Sequence, residues 1–497
     1  TRKESSAASD VYKRQVQLLV GGPPSPSALF CAQAMQKALR RAAPAELESC
    51  GPELVDALAA AADLHWTAGL TQLGLAAAVA MIRSADLSLL NAFDGDASST
   101  NRSIALSLLT LLAEELHCPA TRISTPPERP ARVRQALEES AHQTLTKLHG
   151  WFEQAATIAG GAGRLQTLEH EAAAAADSAA AVLRAGGAWC ICGLVGPSHV
   201  ATSTLFAHDA ASALQHPRIS ADAADALCAA IDVIVERLQR ASSRSSKHAS
   251  GAAATGRGSA RVRATSKPSV GAESDSLDAA SNLQANSRKV LEGLRWLLRL
   301  LSELHTRLRA LDLRSRHVTI VVAHACVAMS SAAEALNCLS GQGHIDLTVH
   351  SIVGMLPQPS TANGALAAGT CLSEAALALE TMLGQWCELL LVATQQLSAD
   401  DAAVALDAWV ALGECAGRCA DDCIHVCSSG RSNGEASAVM SSPATPRDGE
   451  HEVHVGEISE TLGNGNNSLS VNSSAQRLVG RVVGTVRPVL LLSLIHI

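Results

Sequence analysis

Apolar residues along this chain recur every three or four positions rather than every second one, in blocks of about 12–25 residues set apart by short breakers. That period predicts helices over 28–41, 53–64, 70–82, 104–116, 130–148, 165–183 and 221–238. It resumes over 287–311, 317–339, 372–397, 400–427 and 475–491. In the fourth block Ile104, Leu108, Leu111 and Leu112 share a face, and in the fifth Val133, Leu137, Ala141, Leu145 and Leu148 stay in register. Pro44 and Pro119 stand where the first and fourth blocks stop. Ser220 precedes 221–238 as a candidate N-cap.

Two stretches break the pattern. Residues 242–286 are rich in Ser, Ala and Gly, and carry Arg244, Lys247, Arg257, Arg261, Arg263 and Lys267 before the first acid, Glu273. Residues 428–474 are rich in Ser, Gly and Asn. Neither offers enough apolar surface to offset the entropy of ordering, so both are expected to be mobile loops.

The ends read differently from the rest. Ser5 to Gln15 matches the in-frame translation of a transposase sequencing adapter, and Leu492 to Ile497 that of its reverse complement. Thr1 to Glu4 fits the index bases upstream. Such flanks are set aside before fold reasoning. The expected organisation is therefore adapter sequence over 1–15 and 492–497, helical repeats over 16–241 and 287–427, polar linkers over 242–286 and 428–474, and the start of a further helix over 475–491. Residues 16–491 are then expected to be an internal piece of a longer protein.

Composition narrows the class. Ala and Leu dominate the apolar content, aromatics make up 2% of residues, and strand-forming runs are scarce, which predicts an all-α fold. A succession of helix pairs at roughly 40 residues each gives about nine or ten pairs, the pattern of an α-solenoid. The net charge of −8 favours basic partners over nucleic acid. The uncharged stretch 185–207 is broken by Gly186, Gly187, Gly193, Gly196 and Pro197, against the ~20 apolar residues that a membrane helix needs. Fourteen cysteines in a chain this long are expected to be reduced thiols rather than a disulfide framework.

No catalytic constellation stands out. Cys415, Cys419, Cys423 and Cys427 form one helical stripe, but twelve residues of helix span ~18 Å, too far for four ~2.3 Å bonds to one zinc. Small buried packing residues are the simpler reading for them. Cys190 and Cys192 are too close for a zinc knuckle, and Gly256-x-Gly258 lacks the third glycine of a nucleotide loop. No cofactor, metal or enzymatic activity is expected. A thiol or metal enzyme built around the Cys415–Cys427 stripe is the contrasting possibility.

Several segments, in order, resemble the importin-β superfamily of nuclear transport receptors, nearest the transportin branch that carries SR-type proteins. Phe30-Cys31-Ala32-Gln33-Ala34-Met35 resembles the helix opening the second repeat, and Leu70-Thr71-Gln72-Leu73-Gly74-Leu75-Ala76 the helix that follows. Leu108 to Leu116 resembles the next, with Ala113 where the family has proline. Trp189 with Leu194 and Val195 is similar to its Trp turn, 223–231 to the Ala-rich helix after it, and Ala408-Trp409 to a later Phe-Trp helix. The depleted aromatics and the two polar stretches depart from that pattern.

The resemblance implies a HEAT-repeat superhelix that shuttles between nucleus and cytoplasm. It implies binding to the GTP form of the Ran GTPase, FG-nucleoporins seated between outer helices, and basic protein cargo such as SR-type proteins, with neither membrane nor direct nucleic-acid contact. Glu114 and Glu115 are the candidate partner-binding residues. Phe30, Leu73, Leu112, Trp189 and Trp409 are expected to pack between helices. A HEAT or armadillo scaffold outside transport is the alternative.

Overall fold

The computed structural model describes residues 25–42, 47, 50–93, 98–119, 125–161, 169–257, 272–340, 371–396, 403 and 405–414. Among these, every regular element is helical, and the protein is all-α. Helices α1 (Pro26–Leu39), α2 (Gly51–Asp63), α3 (Thr67–Ser84), α4 (Ser88–Asn91) and α5 (Ser99–His117) come first. The long α6 (Glu128–Gly161) and α7 (Glu169–Ile191) follow, then the short α8 (Pro197–Thr202). A π-helical turn, Leu205–Ala210, leads into Ala211–Ala213. Beyond it lie α9 (Ser220–Arg257), α10 (Ala272–Leu308), α11 (Arg316–Ser340), α12 (Cys371–Gln396) and a helical stretch over 405–414.

Local chemistry fixes the starts of these helices. Ser25 caps α1 by accepting from the backbone N–H of Ala28 at 3.1 Å, with Pro26 in the first turn where its missing N–H costs nothing. Ser98 caps α5 in the same way through Asn101. Ser220 behaves otherwise. Its buried hydroxyl lies 3.0 Å from His317 Nδ1, so it links α9 to α11 instead of capping its own helix.

The chain folds as two compact units: residues 1–237 with 296–321, and 238–295 with 322–497. In the first unit α1, α3, α5 and α7 form a row in which each helix packs on the next. Helix α2 lies against α3 and α5, and α6 against α7 and α3. The stripes that the period singled out are contact faces: Ile104, Leu108 and Leu112 on α5, and Val133, Leu137, Ala141, Leu145 and Leu148 on α6 are all buried, and on α1 the structure buries Ala28, Ala32, Met35 and Leu39. Leu111, expected on the same face of α5, is half-buried. Its Cδ1 fills the space beside Gly74, where a Cβ would stand only 2.6 Å away. Small residues let backbones approach elsewhere too. A Cβ on Gly187 of α7 would lie 3.3 Å from the Cα of Ala226 on α9.

In the second unit, Gly293 of α10 faces Leu238, whose Cδ2 would stand 2.9 Å from an added Cβ. Trp386 is fully buried on α12, and Trp409 donates its indole N–H to Thr394 Oγ1 at 3.2 Å. The segment Arg316–Ala335 of α11 is long and apolar enough to cross a membrane, and 72% of its apolar window is buried inside the structure. A core helix has that composition for the same reason.

The expected linker over 242–286 is corrected in part. Helix α9 continues through Arg257 and α10 begins at Ala272, while 258–271 lie outside the described residues. Helix propensity explains the difference. Residues 241–257 are rich in Ala and end on Arg257, and α10 opens with Glu273 and Asp275 in its first turn, signs that the helix dipole favours there. A polar sequence can be helical without an apolar stripe. The linker over 428–474, the Cys415–Cys427 stripe and the helix over 475–491 also fall outside the described residues.

Replacing Gly187 with Val tests the close crossing of α7 and α9. The branched side chain pushes against the backbone of Ala226, and urea denaturation is expected to show a loss of about 1–3 kcal/mol, with helical content retained.

Candidate functional site

The two expected partner-binding acids separate at the end of α5. Glu115 is buried, and its Oε1 accepts a hydrogen bond from Arg40 Nη2 at 3.0 Å. It therefore ties the last turn of α5 to the end of α1, which corrects the expectation that it faces a partner. Helix C-termini disfavour acids, and the Arg40 guanidinium offsets that here. Glu114 is exposed. It lies close enough to Cys192 for its charge to raise that thiol's pKa, while Arg134 acts in the opposite sense. Arg134 Nη1 donates to the Cys192 carbonyl at 3.1 Å and stands 3.7 Å from Glu138 Oε1. Glu114 is thus a surface carboxylate on a charged rim where α5, α6 and the end of α7 meet.

Of the expected packing residues, Leu73, Leu112, Trp189 and Trp409 are buried. Trp189 Nε1 donates to the Leu109 carbonyl at 3.1 Å, joining α7 to α5. Phe30 is a correction. It is 71% exposed because α1 buries the stripe through Ala28, Ala32, Met35 and Leu39, and position 30 falls outside it.

A second polar cluster escaped the sequence reading. The carboxylate of Asp209, 3% exposed, sits in the π-helical turn and meets two imidazoles. His149 Nδ1 of α6 lies 2.5 Å from Asp209 Oδ2, and His208 Nδ1 lies 3.1 Å from Oδ1. His149 Nε2 is in turn 3.7 Å from Glu153 Oε1. Single π-helical turns recur at functional sites because the extra residue re-aims side chains. Nothing in the sequence signals this meeting: the i,i+4 pair His149 and Glu153 is visible, but Asp209 stands 60 positions along the chain. On the same side of α6, the ring of His142 lies 6.0 Å from that of His199.

The cysteines among the described residues are free thiols. Burial pushes Cys192 up to about 11, helped by Glu114, and Cys228 up to about 12, helped by Asp232 and Asp225. Cys190 and Cys326 are fully buried and burial raises both, Cys326 also through its hydrogen bond with Cys387. Thiols held protonated are poor nucleophiles. Among the described residues no group of three or more His, Cys, Asp or Glu side chains converges to hold a metal ion.

Together these features define an all-helical protein whose described interior is knit by helix-to-helix polar contacts. No protein-family model matches the chain, and no curated protein matches it either.

Two outcomes follow from this chemistry. Arg40→Ala deprives the buried Glu115 carboxylate of a charged donor. Because Arg40 is itself partly exposed, the expected loss is about 2 kcal/mol, below the range for a fully buried pair, read from denaturant midpoints. The thiols set an alkaline limit. Above pH about 9 the unfolded chain loses thiol protons, whereas native Cys192 and Cys228 hold theirs to about 11 and about 12. The native state then binds more protons, so stability is intact below pH about 9 and falls as pH rises through that window. Cys228→Ala flattens the fall.

Proposed function

We propose that this chain is part of a nuclear transport receptor of the importin-β type: a HEAT-repeat solenoid that carries basic protein cargo, such as SR-type proteins, through nuclear pores under the control of Ran-GTP. It performs no chemistry in this reading. One observation carries it. Four of the segments that resemble that superfamily lie on α1, α3, α5 and α7, and these helices form one unbroken row. Trp189 and Leu109, from two of those segments, are joined by a hydrogen bond. Stacked helix pairs make an extended surface suited to a protein ligand, and the negative net charge favours basic cargo.

Glu114 is the partner-facing carboxylate in this proposal, and Glu115 a positioning residue behind it. FG-nucleoporins would seat phenylalanine rings between helices lined with alanine, and the protein would shuttle between nucleus and cytoplasm. Ran and cargo would compete or cooperate through one coupling free energy, felt equally by both.

Binding to the immobilised chain compares Ran loaded with GTP against Ran loaded with GDP. A preference for GTP of at least about tenfold, or ~1.4 kcal/mol, is expected. Glu114→Lys is expected to weaken that binding several-fold without loss of helicity. Equal or absent binding by folded protein would leave the scaffold reading in its place.

A further inference from the structure

We propose that His149 and Glu153 form a binding site for a divalent transition-metal ion, with the buried Asp209 orienting the imidazole. The two donors lie one turn apart on α6 and share a face. His149 Nε2 and Glu153 Oε1 stand 3.7 Å apart. An ion bonded to both at ~2.0–2.2 Å needs donors within roughly 4 Å of each other, so the pair is already spaced for it.

The second observation concerns the other nitrogen of the ring. His149 Nδ1 lies 2.5 Å from Asp209 Oδ2. A neutral imidazole that donates Nδ1–H to this carboxylate keeps its lone pair on Nε2, the nitrogen that faces Glu153. Metal-ligating histidines commonly donate their second ring N–H to a carboxylate, which fixes both the tautomer and the ring plane. Asp209 is locked in that task, because its remaining oxygen, Oδ1, meets His208 Nδ1 at 3.1 Å. The π-helical turn is what presents residue 209 to α6.

The donor set decides the kind of ion. One imidazole nitrogen and one carboxylate oxygen suit zinc, nickel or copper better than calcium or magnesium. Two protein donors leave the remaining positions to water, in keeping with the lack of a converging group of three side chains among the described residues. A proton on His149 Nε2 makes a plain ion pair with Glu153 instead. Metal and proton therefore compete for one nitrogen.

Histidine-directed acylation with diethyl pyrocarbonate, read peptide by peptide by mass spectrometry, reports this nitrogen amid the other histidines and thiols. In the full chain at neutral pH, zinc chloride is expected to slow modification of His149 at least about tenfold while leaving His142 unchanged. Glu153→Gln, an exposed substitution whose fold is checked by circular dichroism, should raise the zinc concentration for half-protection by about tenfold or more. Asp209→Asn should raise it by about 10–100-fold. The proposal is overturned if His149 reacts equally fast with and without zinc, if His142 is protected to the same degree, or if Glu153→Gln is protected at the same zinc concentration as the parent.

Discussion

The last carbonyls of a helix need donors from outside it, and in this protein neighbouring helices supply them. Arg83, at the end of α3, donates to the carbonyls of Arg40 and Ala42 just beyond α1. Arg129 of α6 donates to the carbonyl of Arg83. Arg134, further along α6, donates to Cys192 past the end of α7, and Arg40 reaches Glu115 in the last turn of α5. Desolvation and the nearby Arg129 lower the pKa of Arg83, the cost of seating a guanidinium among helix ends. Each bond satisfies an orphan carbonyl or carboxylate and also fixes where one helix ends relative to the next.

Helix ends so fixed let the interior be built from small side chains. Alanine fills much of the core of the first unit, and Gly74 and Gly187 admit a neighbouring side chain or backbone into the space where a Cβ would stand. Two large anchors are tethered by hydrogen bonds: Trp189 by the Leu109 carbonyl, Trp409 by Thr394. Close approach between alanine faces gains dispersion and buried area per helix pair only if the pair is held in register. The polar contacts at the helix ends provide that register. The same economy leaves polar groups such as Glu114 and the His149–Glu153 pair at the surface, where a partner or an ion can reach them.

Polar residues divide by what surrounds them rather than by type. Glu114 and Glu115 are neighbours in sequence, yet one is exposed and the other paired in the interior. Asp209 is held by two imidazoles from different elements, and Ser220 by a histidine nearly a hundred positions away. In each case burial of a polar group is tolerated because a partner meets it.

The sequence alone determined that the protein is helical, the approximate spans of α1, α2, α3, α5, α11 and α12, and the buried stripe of α6, because the 3.6-residue period records the core-facing side directly. It misjudged 242–257 and 272–286, where alanine and well-placed charges sustain helix without an apolar stripe, and Phe30, whose size suggested burial that its position on α1 denies. Tertiary structure alone decided which carbonyl each arginine reaches, that Glu115 points inward, and that Asp209 meets His149. Those pairings join residues up to 75 positions apart. Local periodicity is blind to them, since it reports which side of a helix faces the core but not which neighbour stands there.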